Sequence, residues 1–199
     1  MILKIRDLTV ADVERCLELN NAATPAVPHM ERSALATLIH SSDHPYGVFD
    51  ASDERQSDEG PSDERQSDER QGVQEQGGRE IVGSSDAPLL GFVLAMLPLR
   101  DYASENYRYF VNRGDSFLYV DRIVVDAEIR GGGLGRLLYG HAFGLARAAG
   151  LSEVTCEVNT MPPNPESMAF HARLGFAEVG RQATKNGTVE VALLAASVA

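Results

Sequence analysis

The junction at residues 117–149 constrains this chain more than any other stretch: FLYVDRIVV gives way to EIRGGGLGRLL and then to a helical pattern. A run rich in β-branched and aromatic residues reads as a strand. Leu134, Leu137 and Leu138 begin a helix that should reach about residue 149. Between strand and helix stand Gly131, Gly132, Gly133 and Gly135, with Arg130 and Arg136 beside them. Glycine suits backbone that adopts φ > 0 or must approach a ligand closely. A helix opening from such a loop presents bare N–H groups and its positive dipole end, which together make an anion site.

Two familiar phosphate loops do not fit. A P-loop needs G-x-x-x-x-G-K-[ST], and the chain has no Gly-Lys-Ser/Thr triplet. A dinucleotide fingerprint needs G-x-G-x-x-G. Starting from Gly131 puts Arg136 at the third glycine, and starting from Gly133 puts Leu138 there.

Around the junction, ILKIR (2–6) alternates as a half-buried first strand, and Thr9 with Asp12 forms a capping box ahead of a helix carrying Val10, Val13 and Leu17. A second helix is expected over 30–40. YGVFD (46–50) and LLGFVLAML (89–97) read as two strands of one hairpin. A polar, aromatic-rich connection covers 98–116, with Tyr102, Tyr107, Tyr109 and Phe110 either covering the core or lining a site. Further on come a strand at 153–158, a helix at 164–175 closed by Gly175, and a last hairpin turning at Asn186-Gly187. Hairpins followed by helical crossovers indicate a mixed α/β layered fold.

The interruption of the 46–97 hairpin is a repeat: residues 52–71 read SDERQ, SDEGP, SDERQ, SDERQ. Its units lack the aliphatic and aromatic residues a core needs, so burial cannot offset ordering entropy. Residues 51–87 are read as a disordered insertion in a surface loop, where added length costs little. Residues 51–80 carry −6 of the formal net charge of −11. The net charge argues against a nucleic-acid partner, while the remaining domain is only mildly acidic and implies no partner of its own. No apolar run approaches the ~18 residues of a membrane span. Acids at Asp7, Asp12 and Glu14 do not read as a signal peptide. Cys16 and Cys156 lie far apart without metal-ligand spacing, so a reduced cytoplasmic setting without disulfide or metal is expected.

With the standard loops excluded, Arg130-x-x-Gly133-x-Gly135 remains, set between strand and helix. Here the chain resembles the GNAT superfamily of acetyl-CoA-dependent N-acetyltransferases, whose signature is [Q/R]-x-x-G-x-[G/A]. That superfamily also carries an Asn, a bulky apolar residue and Tyr seven places on, then Leu-Gly-Phe. This chain gives Asn164, Phe170-His171 and Leu174-Gly175-Phe176, in register but for one position. The resemblance covers about 115–182; over residues 1–50 only the order of elements agrees.

The resemblance implies one GNAT-like domain over 1–199, with a mostly antiparallel sheet, helices on both faces and two parallel strands splayed around coenzyme A. Gly131, Gly132, Gly133, Leu134, Gly135 and Arg136, with Arg130, would hold the pyrophosphate. The backbone of Ile123, Val124 and Val125 would pair with the pantetheine arm, and Asn164 would cap its helix or bond the pantetheine amides. Acetyl-CoA is then a co-substrate, and the partner is a small-molecule or peptide amine, with room for a homodimer.

Amide formation needs an unprotonated amine, and a free alkyl amine has a pKa of about 10. A general base must take a proton, and Asp121 and Glu157 are the candidates, both unusual in apolar strands. Strand alternation puts Asp121 with Tyr119 and Ile123, and Glu157 with Thr155 and Asn159. The simpler role for each is pairing with an arginine, Arg122 or Arg173, or facing solvent. His171 replaces the tyrosine that the resemblance assigns to protonating the leaving thiolate; it either supplies an N–H there or packs idly. Cys156 is a poor candidate for an acyl-carrying nucleophile. The missing tyrosine keeps a second reading open, a non-catalytic acyl-CoA-binding sensor or regulatory module.

Overall fold

A computed structural model describes residues 1–52 and 87–198. Its elements run β1 (Leu3–Asp7), α1 (Val13–Ala22), α2 (Arg32–Ser41), β2 (His44–Asp50), β3 (Leu89–Met96) and α3 (Glu105–Arg113). They continue with β4 (Phe117–Val125), α4 (Leu134–Ala148), β5 (Glu153–Met161), α5 (Pro165–Arg173), β6 (Ala177–Thr184) and β7 (Val189–Ser197). The strands form one sheet in the order β1-β2-β3-β4-β5-β7-β6. Every neighbouring pair is antiparallel except β4 with β5.

Each face of the sheet has its own core. On one, α1, α2 and α3 contribute Val13, Cys16, Leu35, Leu38, Tyr107 and Phe110 against Phe92, Phe117 and Tyr119. On the other, α4 packs Leu134, Leu138, Tyr139, Ala142 and Ala146 against Leu118, Val154 and Cys156. The mixed α/β layers expected from the sequence are therefore present. Among the described residues no helix is long and apolar enough to cross a membrane.

Several local expectations need correction. The first strand is a sheet edge, more exposed than half-buried. Val10 stands 84% exposed, because residues 10–12 form a 3₁₀ turn and the inward stripe of α1 begins at Val13. The expected Asp12 half of the capping box is there: its carboxylate accepts from Thr9 N at 2.7 Å and is forked by Arg6 at 2.8 and 2.9 Å. Burial opposes the Asp12 charge, but these hydrogen bonds outweigh it and hold the carboxyl below its ordinary value.

The connection 98–116 contains a helix the sequence reading missed. Ser104 caps α3 by accepting from Tyr107 N, and Tyr107 and Phe110 are its buried stripe. The 46–97 hairpin pairs as expected, with Phe49 opposite Leu89. The SDERQ units from residue 53 onward, and most of the expected insertion, lie outside the described residues.

Candidate active site

β4 and β5 are nine residues each, yet they pair only through Phe117–Tyr119 and Glu153–Thr155. Beyond Tyr119 the strands part. The cause is visible on the other side of β4, where Leu94 faces Arg122 but Ala95 faces Val120, leaving Asp121 as an extra residue. A β-bulge bends its strand and changes which face the following side chains occupy. Tyr119 joins the α1–α3 core, whereas Ile123 packs with the α4 core. The expected alternation linking Tyr119, Asp121 and Ile123 on one face is thus overturned by the bulge.

Two cavities open on the parted strands. One, of about 440 Å³, is lined by Ile123, Val124, Val125, the glycine loop and α5. The other, of about 950 Å³, is lined by the α1–α2 connection, α3, Asp121 and Glu157, and by the β6–β7 turn. Ala26, Val27, Ile123, Asn164, Ser167 and His171 line both, so they mark the junction.

The loop of the smaller cavity is built as the sequence suggested. Gly131 and Gly133 adopt φ of 86° and 84°, and a Cβ on either would meet nothing within 4 Å. Dihedral strain, not crowding by protein, is what requires glycine there. Gly133 is the N-cap of α4, so the first-turn N–H groups of Leu134, Gly135 and Arg136 have no acceptor within their own helix. Asp126 anchors the loop's start: its carboxylate accepts from Glu128 N at 3.0 Å and from Arg15 at 2.5 Å. Gly135 differs from its neighbours, since a Cβ on it would lie 2.9 Å from the Phe170 ring. Asn164 caps α5, accepting from Ser167 N at 3.1 Å.

In the larger cavity the two candidate carboxylates come together. The Asp121 side chain is 6% exposed; its Oδ1 accepts from the Tyr102 hydroxyl at 2.6 Å. Its Oδ2 has no hydrogen-bond partner and stands 3.6 Å from Arg122 Nε, which is also unpartnered. That separation is too long for a hydrogen bond but within ion-pair range, so the expected pairing of Asp121 with Arg122 is present as an ion pair. Arg122 donates instead to Asn20 Oδ1 at 2.6 Å. Glu157 accepts from the Tyr119 hydroxyl at 2.8 Å and from Asn106. Arg173 lines the smaller cavity and is not among Glu157's partners.

Burial raises Asp121 above the ordinary carboxylate value, against the pull of Arg122 and Tyr102. Burial, and then the like charge of Asp121, push Glu157 up to about 8. Both Cys156 and Cys16 are buried thiols raised by desolvation, which leaves Cys156 un-ionised beside Tyr139.

His171 is 3% exposed and both ring nitrogens are engaged. Nδ1 lies 2.7 Å from the Ser167 carbonyl, which can only accept, so Nδ1 carries the hydrogen. Burial keeps the ring's pKa low, against the Ser167 hydrogen bond, and leaves Nε2 bare. The Tyr139 hydroxyl therefore donates to Nε2 at 2.8 Å.

Sequence reasoning missed Tyr119, Asn106, Tyr139 and Ser167. Tyr139 read as one more core position of α4, and nothing local marks Tyr119 as facing Glu157. Ser167 had a weak signal, one turn before His171 on the same helix face.

Fold, glycine loop and parted strands together define an acyltransferase that draws its acyl group from coenzyme A. The profile of the Acetyltransferase (GNAT) family matches residues 40–176, and the chain belongs to that family. No curated protein sequence gives a match. Among solved structures, the ribosomal-protein-S18-alanine N-acetyltransferase from Escherichia coli superposes with a TM-score of 0.61 at 15% identity, covering 100% of this chain and 95% of that one. Ard1 from Thermoplasma volcanium gives 0.64 at 15% identity, covering 100% and 99%. An N-acetyltransferase from Staphylococcus aureus Mu50 gives 0.62 at 14%, covering 100% of both chains. At such identities the likeness speaks for the fold.

The residues present fit the family's co-substrate. Positive-φ glycines leave open space, the α4 N–H groups are free, Arg130 and Arg136 are exposed, and β4 beyond Tyr119 has no strand on its β5 side.

Proposed function

We propose that this chain transfers the acetyl group of acetyl-CoA to a primary amine by direct attack of the amine on the thioester. When bound, acetyl-CoA supplies the acetyl group in activated form. Residues 131–136 and Arg130 hold its pyrophosphate, and the free edge at Ile123–Val125 holds its pantetheine arm. The chain works as one domain interrupted between β2 and β3. Its two unpaired, buried thiols support a reducing, cytoplasmic setting.

The observation that carries this reading is the pair of buried carboxylates with unequal surroundings. Asp121 Oδ2 is buried beside the Arg122 charge but without a hydrogen bond, which is costly unless a donor arrives. An acceptor ammonium is such a donor, and it relieves the repulsion between the two acids. Glu157, raised towards the pKa range in which a base works near neutral pH, then takes the amine proton. Cys156, protonated and packed on the α4 face, supports direct attack without an acyl-cysteine.

The α1–α2 connection, α3 and the β6–β7 turn around this cavity leave room for a small molecule or the end of a peptide. The test is a panel of amines, amino acids and peptides, read by acetyl mass gain and by release of coenzyme A thiol. Amine-dependent release is the expected result. Acetyl-CoA binding with no amine in the panel accelerating thiol release would overturn the reading.

A further inference from the structure

We propose that the departing coenzyme A sulfur is met by the Ser167 hydroxyl, aimed by a one-directional hydrogen-bond chain from Tyr139 through His171. The inference rests on the acetyl-transfer reading above. It starts from what the junction offers. Of the side chains lining both cavities, Ala26, Val27 and Ile123 are apolar, Asn164 is held through its oxygen as the cap of α5, and His171 has its single N–H directed at Ser167. Ser167 keeps a hydroxyl hydrogen that no other hydrogen bond among the described residues requires.

The direction of the chain follows from donor chemistry. Tyr139 donates to His171 Nε2 at 2.8 Å, which fixes the hydrogen on Nδ1. Nδ1–H points at Ser167, with the carbonyl at 2.7 Å and Oγ at 3.3 Å, a shared bond within one helical turn. An N–H directed at Oγ polarises that hydroxyl and leaves its own hydrogen for a third group. The Tyr139–His171 pair therefore presents Ser167 as a donor rather than an acceptor. Glu157 and Asp121 stand on the α3 side of the sheet, where their partners Tyr119, Tyr102 and Asn106 lie, whereas Tyr139 and His171 belong to the α4 side. The parting of β4 and β5 joins the two. Base and thiolate donor thus approach the reacting carbon from opposite faces.

The step balances without another reactant. The acceptor enters as an ammonium and loses one proton through Glu157 to solvent. The freed lone pair then forms the C–N bond, the re-ionised Glu157 takes the second nitrogen proton, and the C–S bond breaks with its electron pair on sulfur. Ser167 Oγ–H hydrogen-bonds that sulfur while negative charge collects there. The thiol leaves as thiolate, close to its free pKa of about 8.5, and Glu157 returns its proton to solvent. Ser167 is the catalytic donor; His171 and Tyr139 are positioning residues.

Ser167→Ala is the direct test. The substitution keeps both backbone bonds, to Asn164 and to His171, so the helix cap survives. Loss of one such donor typically costs about 10²–10³ in kcat. That loss is expected here at unchanged acetyl-CoA affinity by calorimetry, with Ser167→Thr recovering most of it. Tyr139→Phe should free the imidazole to exchange tautomers, seen in the unliganded protein as ¹⁵N shifts moving from the Nδ1–H form. Its kcat should fall without a change in KM, and Ser167→Ala/Tyr139→Phe should be no slower than Ser167→Ala alone. Turnover of Ser167→Ala within threefold of wild type per folded molecule would overturn the proposal, as would a large loss in Tyr139→Phe that Ser167→Ala does not share. A wild-type protein that binds acetyl-CoA but transfers to no amine would overturn the parent reading and this one with it.

Discussion

The two cavities that meet at His171 are built on opposite principles. The cofactor side is made of backbone: positive-φ glycines, free N–H groups at the start of α4 and an unpaired strand edge. It recognises charge and shape through atoms every residue has, so its demands fall on dihedral angles. The acceptor side is made of buried side chains from α3, β4 and β5, and its demands fall on ionisation states. On the proposed function, the first side should hold its ligand with little dependence on pH, whereas the second should work only when a particular proton is absent. Substitutions on the two sides should therefore fail in different measurements.

The largest effect belongs to Glu157. Glu157→Gln should lower kcat by about 10²–10⁴ while leaving acetyl-CoA affinity intact, the usual range for removing a general base. The wild-type rate should rise with pH through about 8, because the base must be ionised and burial has raised it there. Stability should run the other way. A carboxyl near 4.3 when unfolded but higher when folded makes the native state bind the proton more tightly. Stability then falls as pH rises between the two values. Asp121, also raised, adds to the same slope. Denaturation of wild type and Glu157→Gln across pH 4–9 checks the sign: the variant should lose part of the decline. A rate flat through that window would break the contrast between the two sides.

Gly133→Val should fail on the other side. At φ 84° a β-branched residue costs roughly 1–2 kcal/mol in strain alone, and the N–H groups of α4 lose their approach. Affinity for coenzyme A should drop more than tenfold, with a modest loss of Tm. The pH at which the rate is half-maximal should not move. A shifted pH profile in this variant would mean the sides are not separable.

Asp121→Asn sharpens the acceptor side. It removes the like charge facing Glu157, so the Glu157 pKa should fall and the rate should turn on at lower pH. The carboxylate oxygen that lacks a hydrogen bond becomes part of a neutral amide, and KM for the amine should rise about tenfold at unchanged acetyl-CoA affinity. An unchanged profile would show the two carboxylates to be independent.

The same contrast explains what could be read from the sequence. The loop was legible because its constraints are local: consecutive glycines, a following apolar helix period and a neighbouring arginine all sit within EIRGGGLGRLL. The acceptor side was legible only in its inventory. Asp121 and Glu157 stand out as acids in apolar strands, but the face of Asp121 is set by a bulge, a property of how β4 pairs with β3 and not of β4 itself. Tyr119 meets Glu157 across 38 residues and Tyr139 meets His171 across 32, distances over which spacing carries no signal. The helix α3 was hidden by its polar and aromatic composition, although Ser104 with Tyr107 and Phe110 gives the cap and the start of a stripe.

Gly135 is where the two principles overlap, and its effect should be the smallest. It lines the cofactor cavity, yet a Cβ there would first meet Phe170 Cζ at 2.9 Å. If ligand approach alone required glycine, Gly135→Ala would weaken coenzyme A binding and raise helix stability by roughly 0.5–1 kcal/mol. If packing of α5 on α4 requires it, the methyl group displaces the Phe170 ring and the propensity gain is cancelled, for overpacking typically costs about 1–3 kcal/mol. The 2.9 Å approach favours packing. Gly135→Ala should thus be close to neutral or slightly destabilising, and Phe170→Leu should relieve it. The double-mutant cycle should return a coupling of about 0.5–1.5 kcal/mol between positions with adjoining side chains. Additive effects within experimental error, together with a weaker coenzyme A complex, would move Gly135 wholly to the ligand's side of the comparison.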